Sequence, residues 1–442
     1  MKVMKLEFKT IAAALLIGGT AMMSTSCKKE GCTDPNANNY SEDAKKDDGS
    51  CTYTQVEGTV NKSGTLTADE TWTADKIWVL NGKVYVPDGV TLTIQPGTII
   101  KGAEGQESLA SALIVQRGGI LLAEGTASQP IIFTSILDNI KVGETAGTNL
   151  SRTDNEKWGG LAILGRAPIS AQSGDTETNL EGIPAGDGQG LFGGTNPSDY
   201  SGKLKYISIR HGGISIGEGN ELNGLTLGGV GSTTEISNIE IYATLDDGIE
   251  CFGGTVDIDN ALVYYQGDDG LDLDMNYSGT IENFIVIHGD GIGTDEGLEI
   301  DGPEGTTYTT GKFTLRNGLV KSDGATDGSP ADFKDKAQGT IENVTFDYTS
   351  IGGKAIKIRT KYNDACEQQA DALSRLVAGD LSFVNCAISE TVSVYPSTAG
   401  ACPTEVANDQ TAAEGEINGA GSGATVSTSI FSWTLAAERG QL

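Results

Sequence analysis

Between Leu245 and Gly302 apolar and polar residues alternate in short runs that recur along the chain. The run LDDGIECFGGTVDIDNALVYYQG is followed by DDGLDLDMNYSGTIENFIVIHG and then by DGIGTDEGLEIDG. Asp247 falls over Asp269, Gly248 over Gly270, Ile249 over Leu271 and Glu250 over Asp272, a spacing of 22 residues. After a longer loop, Gly297, Leu298, Glu299 and Ile300 take the same places. Fixed-period repetition of short alternating runs is the mark of a solenoid of stacked strands, a parallel β-helix. Alternation then sends Ile249, Cys251, Leu271, Leu273, Leu298 and Ile300 inward. Glu250 with Phe252, Asp272 with Asp274, and Glu299 with Asp301 point outward. KAIKIRT extends the series, with Ile356 and Ile358 inside and Lys357 and Arg359 outside.

The same grammar begins near Val56. Runs at Ile77–Leu80, Lys83–Val86, Val90–Ile94, Ala112–Gln116 and Ile120–Ala123 are separated by Asn81-Gly82, Asp88-Gly89 and Pro96-Gly97 turns. Pro130–Thr134, Trp158–Leu164 and Lys205–Arg210 supply further strands, and residues 136–157 and 171–202 are polar insertions of the kind that build a binding face. Asn238, Asn260, Asn283, Asn317, Asn343 and Asn385 each precede an apolar strand, and such asparagines are expected to stack and hydrogen-bond one another. Residues 362–377 read as a helical interruption, and Ile430 to Leu435 as a last strand or cap. The stretch LTIQPGTIIKG…LIVQRGGILLAEGTASQPIIFTS resembles the opening coils of pectate-lyase-like β-helix proteins. The expected fold class is therefore all-β: a right-handed parallel β-helix with long loop insertions, over residues 55–442, preceded by a small disulfide-stapled module.

Lys2, Lys5 and Lys9 precede an apolar run from Ile11 to Met23, too short for a permanent span, and then Ser24-Thr25-Ser26-Cys27. The pattern resembles a bacterial lipoprotein signal peptide over residues 1–26, although Ser24 replaces the usual leucine; it implies lipidation at Cys27. Lys28-Lys29-Glu30 resembles the charged export tags of surface-exposed Gram-negative lipoproteins, so the expected address is the outer membrane surface. Residues 27–54 form a separate unit. Its stretch GCTDPNANNYSEDAKKDDGSC has too few apolar residues for a core and needs the Cys32–Cys51 staple. Such a loop closure is worth roughly 3 kcal/mol. The stretch resembles a GCTDP…DDGSC module of secreted and surface bacterial proteins. Asp34, Asn36, Asn38, Asp47 and Asp48 offer the oxygen spacing of a second Ca²⁺ site, although position twelve is Lys45 and not the glutamate of an EF-hand. Cys366 and Cys402 could pair across the Asn385 coil, while Cys251 and Cys386 read as buried apolar residues.

Charge changes the picture further. Sixty acidic residues against 30 basic ones give −30, a surface that repels nucleic acid and attracts cations. Coils stack about 4.8 Å apart, so the carboxylates Glu250, Asp272, Asp274, Glu299 and Asp301 need a counter-charge. That can come from Ca²⁺ across two coils, from Lys357 and Arg359, or from solvent and salt. Resemblance to pectate lyases implies an enzyme alternative, with Asp272, Asp274, Glu299 and Asp301 as the acids that hold Ca²⁺ and Lys357 or Arg359 abstracting a sugar proton. The order Asp246/Asp247, Asp268/Asp269, His288-Gly289 and Arg359-Thr360-Lys361 also echoes polygalacturonase-type glycosidases. However, the NTD triplet is missing, the basic element comes late, and repetition of the DDG triplets favours a turn-forming role. No catalytic residue is assigned.

The chemistry of the sequence points to a lipid-anchored surface protein whose β-helix binds an extended ligand, a polysaccharide, with Ca²⁺ support. Trp158, Phe252, Tyr264 and Tyr265 are the aromatic candidates for stacking on sugar rings. A polysaccharide lyase or glycosidase, and an adhesin or scaffold, are the alternatives.

Overall fold

The structure is a computed structural model. It describes residues 29–442 apart from 34, 36, 47–49, 53–57, 107–108, 181–182, 184–187, 218–219, 291–292, 326–327, 350–353, 397–401, 418–420 and 424–425. Cys27, Asp34, Asn36, Asp47 and Asp48 lie outside the described residues. The chain divides into two units, Met1–Thr52 and Tyr53–Leu442. The first is held by the Cys32–Cys51 disulfide, with Cys32, Ala37 and Ala44 as its small buried set. Thr52 donates its backbone N–H to Asn39 Oδ1 at 2.8 Å, and Lys29 meets Asp43 at 2.7 Å.

The second unit is the parallel β-helix that the repeat predicts: among the described residues, 25 strands join in one sheet wound into coils. Each full coil contributes strands to three faces. The first face passes through Thr91–Ile94, Ile120–Glu124 and the opening halves of long strands such as Glu235–Thr244, Asp257–Gln266 and Thr280–Gly289. The closing halves of those strands make the second face. The third face stacks Ala112–Val115, Leu161–Leu164, Leu225–Gly228, Ile249–Phe252, Leu271–Asp274, Leu298–Asp301, Ala331–Lys334, Ile356–Tyr362 and Val392–Pro396, all in parallel register. Ile249, Cys251, Leu271, Leu273, Leu298, Ile300, Ile356 and Ile358 fill the interior, as alternation requires.

The corner between the first and second faces is made by the asparagines. Asn238, Asn260, Asn283, Asn317, Asn343 and Asn385 all adopt positive φ, between 51° and 61°, a conformation asparagine tolerates better than most residues. Their amides form a ladder: Asn260 donates to Asn238 at 3.3 Å, Asn343 to Asn317 at 3.3 Å and Asn385 to Asn343 at 2.6 Å. The ladder is half-buried from Asn238 to Asn343 and exposed at Asn385. Tyr206 takes the same position one coil earlier, with φ 53°.

Two expectations are corrected. The C-terminal tail is neither a strand nor an end cap. It leaves the last coil where Ser422 donates to Asn385 Oδ1, then forms a 3-10 turn at Thr428–Phe431 and helix α3 at Leu435–Glu438. Phe431, Leu435 and Ala436 pack on Tyr242, Leu262, Tyr264, Ile285 and Ile287 of the second face. The buried Glu240 carboxylate fixes the tail by accepting the Leu435 and Ala436 N–H groups at 3.0 and 2.9 Å. The end itself is covered by α2, Pro403–Ile417, whose Ala413 and Ile417 join the core. In the 362–377 insertion only the final part is helical: α1 is Ala372–Ala378, capped by Asp371. Disulfide Cys366–Cys402 forms across the Asn385 coil, and Cys251 and Cys386 are buried free thiols.

Candidate functional site

Alternation along the third face leaves three outward columns. The turn column reads Asn223, Asp247, Asp269, Glu296, Ser329. The next reads Thr226, Glu250, Asp272, Glu299, Asp332, Lys357, and the last Gly228, Phe252, Asp274, Asp301, Lys334, Arg359, Tyr395. The predicted parity of Glu250, Asp272, Asp274, Glu299 and Asp301 is therefore what the chain adopts. One whole coil, Ala331–Lys334, lies between Leu298–Asp301 and Ile356–Tyr362; its Asp332 and Lys334 were not recognised in the sequence.

Most of the acidic side chains are recessed, which the sequence did not suggest, while Asp274 and Glu299 are half-buried. Exposure is 4% for Asp269, 5% for Asp272, 6% for Asp247, 8% for Asp301 and 9% for Glu250. Screening by solvent and salt therefore does not account for the column. The recess arises because flanking insertions rise beside it. Gly254 N–H donates to the Pro168 carbonyl at 2.8 Å and Ser170 N–H to the Met275 carbonyl at 3.0 Å. Met275 N–H donates to Glu304 Oε1 at 3.2 Å. Towards the N-terminal coils the same face turns apolar. Tyr85, Ile114, Ala162 and Leu164 are covered there by Leu180, Ile183 and Phe192 of the long insertion, and Phe192 packs on Phe252 at 5.7 Å.

Towards the C-terminal coils the face supplies its own cations. Lys334 meets Glu299 at 2.9 Å and Asp301 at 3.3 Å. Lys357 bonds Glu296, with Asp332 at 3.9 Å, while Arg359 Nε lies 2.9 Å from both oxygens of Asp332. These carboxylates raise the affinity of Lys334, Lys357 and Arg359 for their protons, opposing the cost of partial burial. A charged, paired Lys357 or Arg359 is poorly disposed to act as a base.

Between the apolar and basic stretches, Asp247, Glu250, Asp269 and Asp272 form no salt bridge among the described residues, whereas Glu299 and Asp301 share Lys334. One carboxylate oxygen each of Asp247, Glu250 and Asp272 lies within 4.8 Å of the others, and the same holds for Asp269, Asp272 and Glu299. Like charges about 5 Å apart repel by about 3 kcal/mol at an effective dielectric constant near 20. Burial, reinforced by neighbouring carboxylates, pushes the carboxyl groups of Asp247, Glu250, Asp269 and Asp272 far above the usual range. Burial and Asp274 push Asp301 up to about 10. Asp247 and Asp269 lie in the bends that lead into their strands, and their carboxylates link successive coils: Asp269 N–H donates to Asp247 Oδ1 at 2.9 Å and Glu296 N–H to Asp269 Oδ1 at 2.5 Å. Yet both also belong to the acidic cluster. Asp272 Oδ1, Asp274 Oδ1 and Asp301 Oδ1 are buried without a hydrogen-bond partner.

Residues 64–435 match the Pectate-lyase like beta helix domain family. The chain belongs to that family. No curated protein and no solved structure matches it. Pectate-lyase-like coils account for the scaffold; they do not account for the aromatic candidates. Trp158, Tyr264 and Tyr265 are buried, so none can stack on a sugar, and Phe252 is occupied by Phe192. Among the described residues of this face, Tyr395 is an exposed aromatic, 38% exposed at the end of the last column with Arg359 5.4 Å from its ring. His211 and His288 are buried and held neutral, burial pulling each down to about 4; they bond the Asp154 carbonyl and the Tyr348 hydroxyl. Both are framework residues.

Proposed function

We propose that the third face binds an extended polysaccharide, with a divalent cation seated among its recessed carboxylates. The observation that carries this reading is the recess: a long periodic face whose acidic columns, from Glu250 to Asp301, are walled by insertions and left without enough basic partners. A periodic face of this kind suits a periodic polymer. Ca²⁺ fits the donor set, which is all oxygen: two oxygens bound to one ion at 2.3–2.6 Å stand at most about 5 Å apart. Asp247, Glu250 and Asp272 meet that limit. The cation would bring positive charge to a face that otherwise repels acidic sugars. Lys334, Lys357 and Arg359 would orient the polymer at the basic end, beside Tyr395. Membership of the Pectate-lyase like beta helix domain family is consistent with a carbohydrate ligand. The N-terminal sequence supports display at the outer membrane surface through a lipid on Cys27.

Titration of the purified protein against neutral and uronic-acid polysaccharides, in Ca²⁺ and in EDTA, tests the reading. Saturable binding to a polysaccharide that weakens in EDTA is expected. Indifference to every polymer in both buffers contradicts it. Appearance of unsaturated or reducing ends during the same incubations would convert the binder into a lyase or a glycosidase.

A further inference from the structure

Beside a cluster of Asp246, Asp247 and Asp268 in the bends, two acidic triads of the third face are one triad written twice. Asp247 pairs along its column with Asp269, Glu250 with Asp272, and Asp272 with Glu299. Moving Asp247, Glu250 and Asp272 one coil onward therefore gives Asp269, Asp272 and Glu299, and both sets hold their oxygens within 4.8 Å. One further step gives Glu296, Glu299 and Asp332. There the protein has placed an ammonium group: Lys357 bonds Glu296 and lies 3.9 Å from Asp332, while Lys334 takes Glu299 and Arg359 takes Asp332. One step in the other direction gives Asn223, Thr226 and Glu250, where two carboxylates have become neutral and Asn223 donates to Glu250. The array is thus closed by neutral groups at one end and by a side-chain cation at the other.

The two middle triads have these devices only at their edges: Glu250 takes the Asn223 amide and Glu299 the Lys334 ammonium, while among the described residues Asp247, Asp269 and Asp272 form no salt bridge. The residue they share, Asp272, is 5% exposed, and its Oδ1 is buried with no partner. A second buried oxygen without a partner, Asn223 Oδ1, lies at the closed end beside Glu250. An unpaired carboxylate oxygen sealed from water is costly unless a proton neutralises it or a cation meets it.

We propose that the third face holds two divalent cations, Ca²⁺ by the hardness of the donors, in consecutive equivalent sites: one among Asp247, Glu250 and Asp272, the other among Asp269, Asp272 and Glu299, with Asp272 bridging them. The ions stand one coil apart, about 4.8 Å, in the positions that Lys357 occupies one coil further on. The inference rests on the reading above for the choice of Ca²⁺, but it needs no polysaccharide.

Equilibrium dialysis of the full mature chain against Ca²⁺, with bound metal measured by emission, gives the count. Asp272→Asn is expected to bind two fewer ions than wild type, and Asp247→Asn one fewer. The difference is insensitive to ions held elsewhere on the chain. The amide keeps the shape and removes a buried charge, so circular dichroism in EDTA should match wild type. A wild-type measurement guards against misfolded variants: bound Tb³⁺ should lose luminescence lifetime when Nd³⁺ shares the protein, because neighbouring ions transfer energy. A difference of one or zero ions for Asp272→Asn, or a Tb³⁺ lifetime that Nd³⁺ leaves unchanged, overturns the proposal. Two ions with no polysaccharide binding would sink the binding reading and leave the paired site standing.

Discussion

Glu250 and Asp272 stand side by side in register on neighbouring coils, both within a tenth of full burial, and among the described residues neither forms a salt bridge with lysine or arginine. Two coils further on, Asp332 is buried just as deeply and is met by Arg359. The same strand position is treated in two ways along one face, which makes it possible to test each separately.

Removing Arg359 should strand a buried charge. Among the described residues, Arg359→Ala leaves the Asp332 carboxylate with the Lys357 ammonium 3.9 Å away, and breaking a buried pair in this manner costs about 3 kcal/mol. Denaturant unfolding should show that loss, and adding Asp332→Asn should recover much of it. Equal loss in the single and double variants would mean that Arg359 acts by packing alone.

The asparagine ladder gives a prediction of similar size. Asn260 has φ 61° and donates to Asn238. Asn260→Ala forfeits a hydrogen bond and places a β-carbon in the left-handed region, together about 2 kcal/mol. Asn260→Gly should cost less, because glycine accepts that backbone. If the two variants melt together, backbone conformation is not what asparagine supplies.

Glu296 and Glu304 set a pH window. Burial, with Asp295 beside the first and Asp274 near the second, pushes both carboxyl groups from 4.5 up to about 7. Between those values the folded chain holds protons that the unfolded chain has released. Their contribution to stability is therefore complete below about pH 4.5 and is lost as the pH rises through about 7. In EDTA, urea midpoints should fall over this interval, and Glu304→Gln should flatten part of the fall. A midpoint that rises steadily across the window would contradict the assignment.

Anchoring has its own test. Cys27→Ala should move the protein from the membrane fraction to the soluble one and abolish incorporation of a labelled fatty acid. Unchanged membrane association would remove the lipid reading.

Much of the fold was legible because its signals are local. Left-handed corners call for asparagine, so six asparagines before apolar strands marked the coils, and strict alternation set which side of Ile249–Phe252 and Leu271–Asp274 faces in. The Ala331–Lys334 coil escaped notice because it lacks the DDG turn of its neighbours. The tail IFSWTL has the composition of a strand, but Glu240, Tyr206 and Tyr242 of distant coils decide its shape. Burial of the acidic column was hidden for the same reason: it depends on insertions at Pro168–Ser170 and Glu304 that come from elsewhere in the chain. Repetition placed Asp247 and Asp269 in the bends before their strands, and stacking of those bends is what also brings both into the acidic cluster.

The most direct measurement is the melting temperature of wild type and Asp272→Asn, each in EDTA and in excess Ca²⁺. Saturating one site to a hundredfold over its dissociation constant stabilises a folded protein by about 2.7 kcal/mol. Wild type should therefore melt several degrees higher in Ca²⁺. Asp272→Asn should melt above wild type in EDTA, because a buried repulsion is gone, and should gain little from Ca²⁺. Identical melting of wild type in the two buffers, or an undiminished Ca²⁺ shift in Asp272→Asn, would contradict the cation site at the centre of this face.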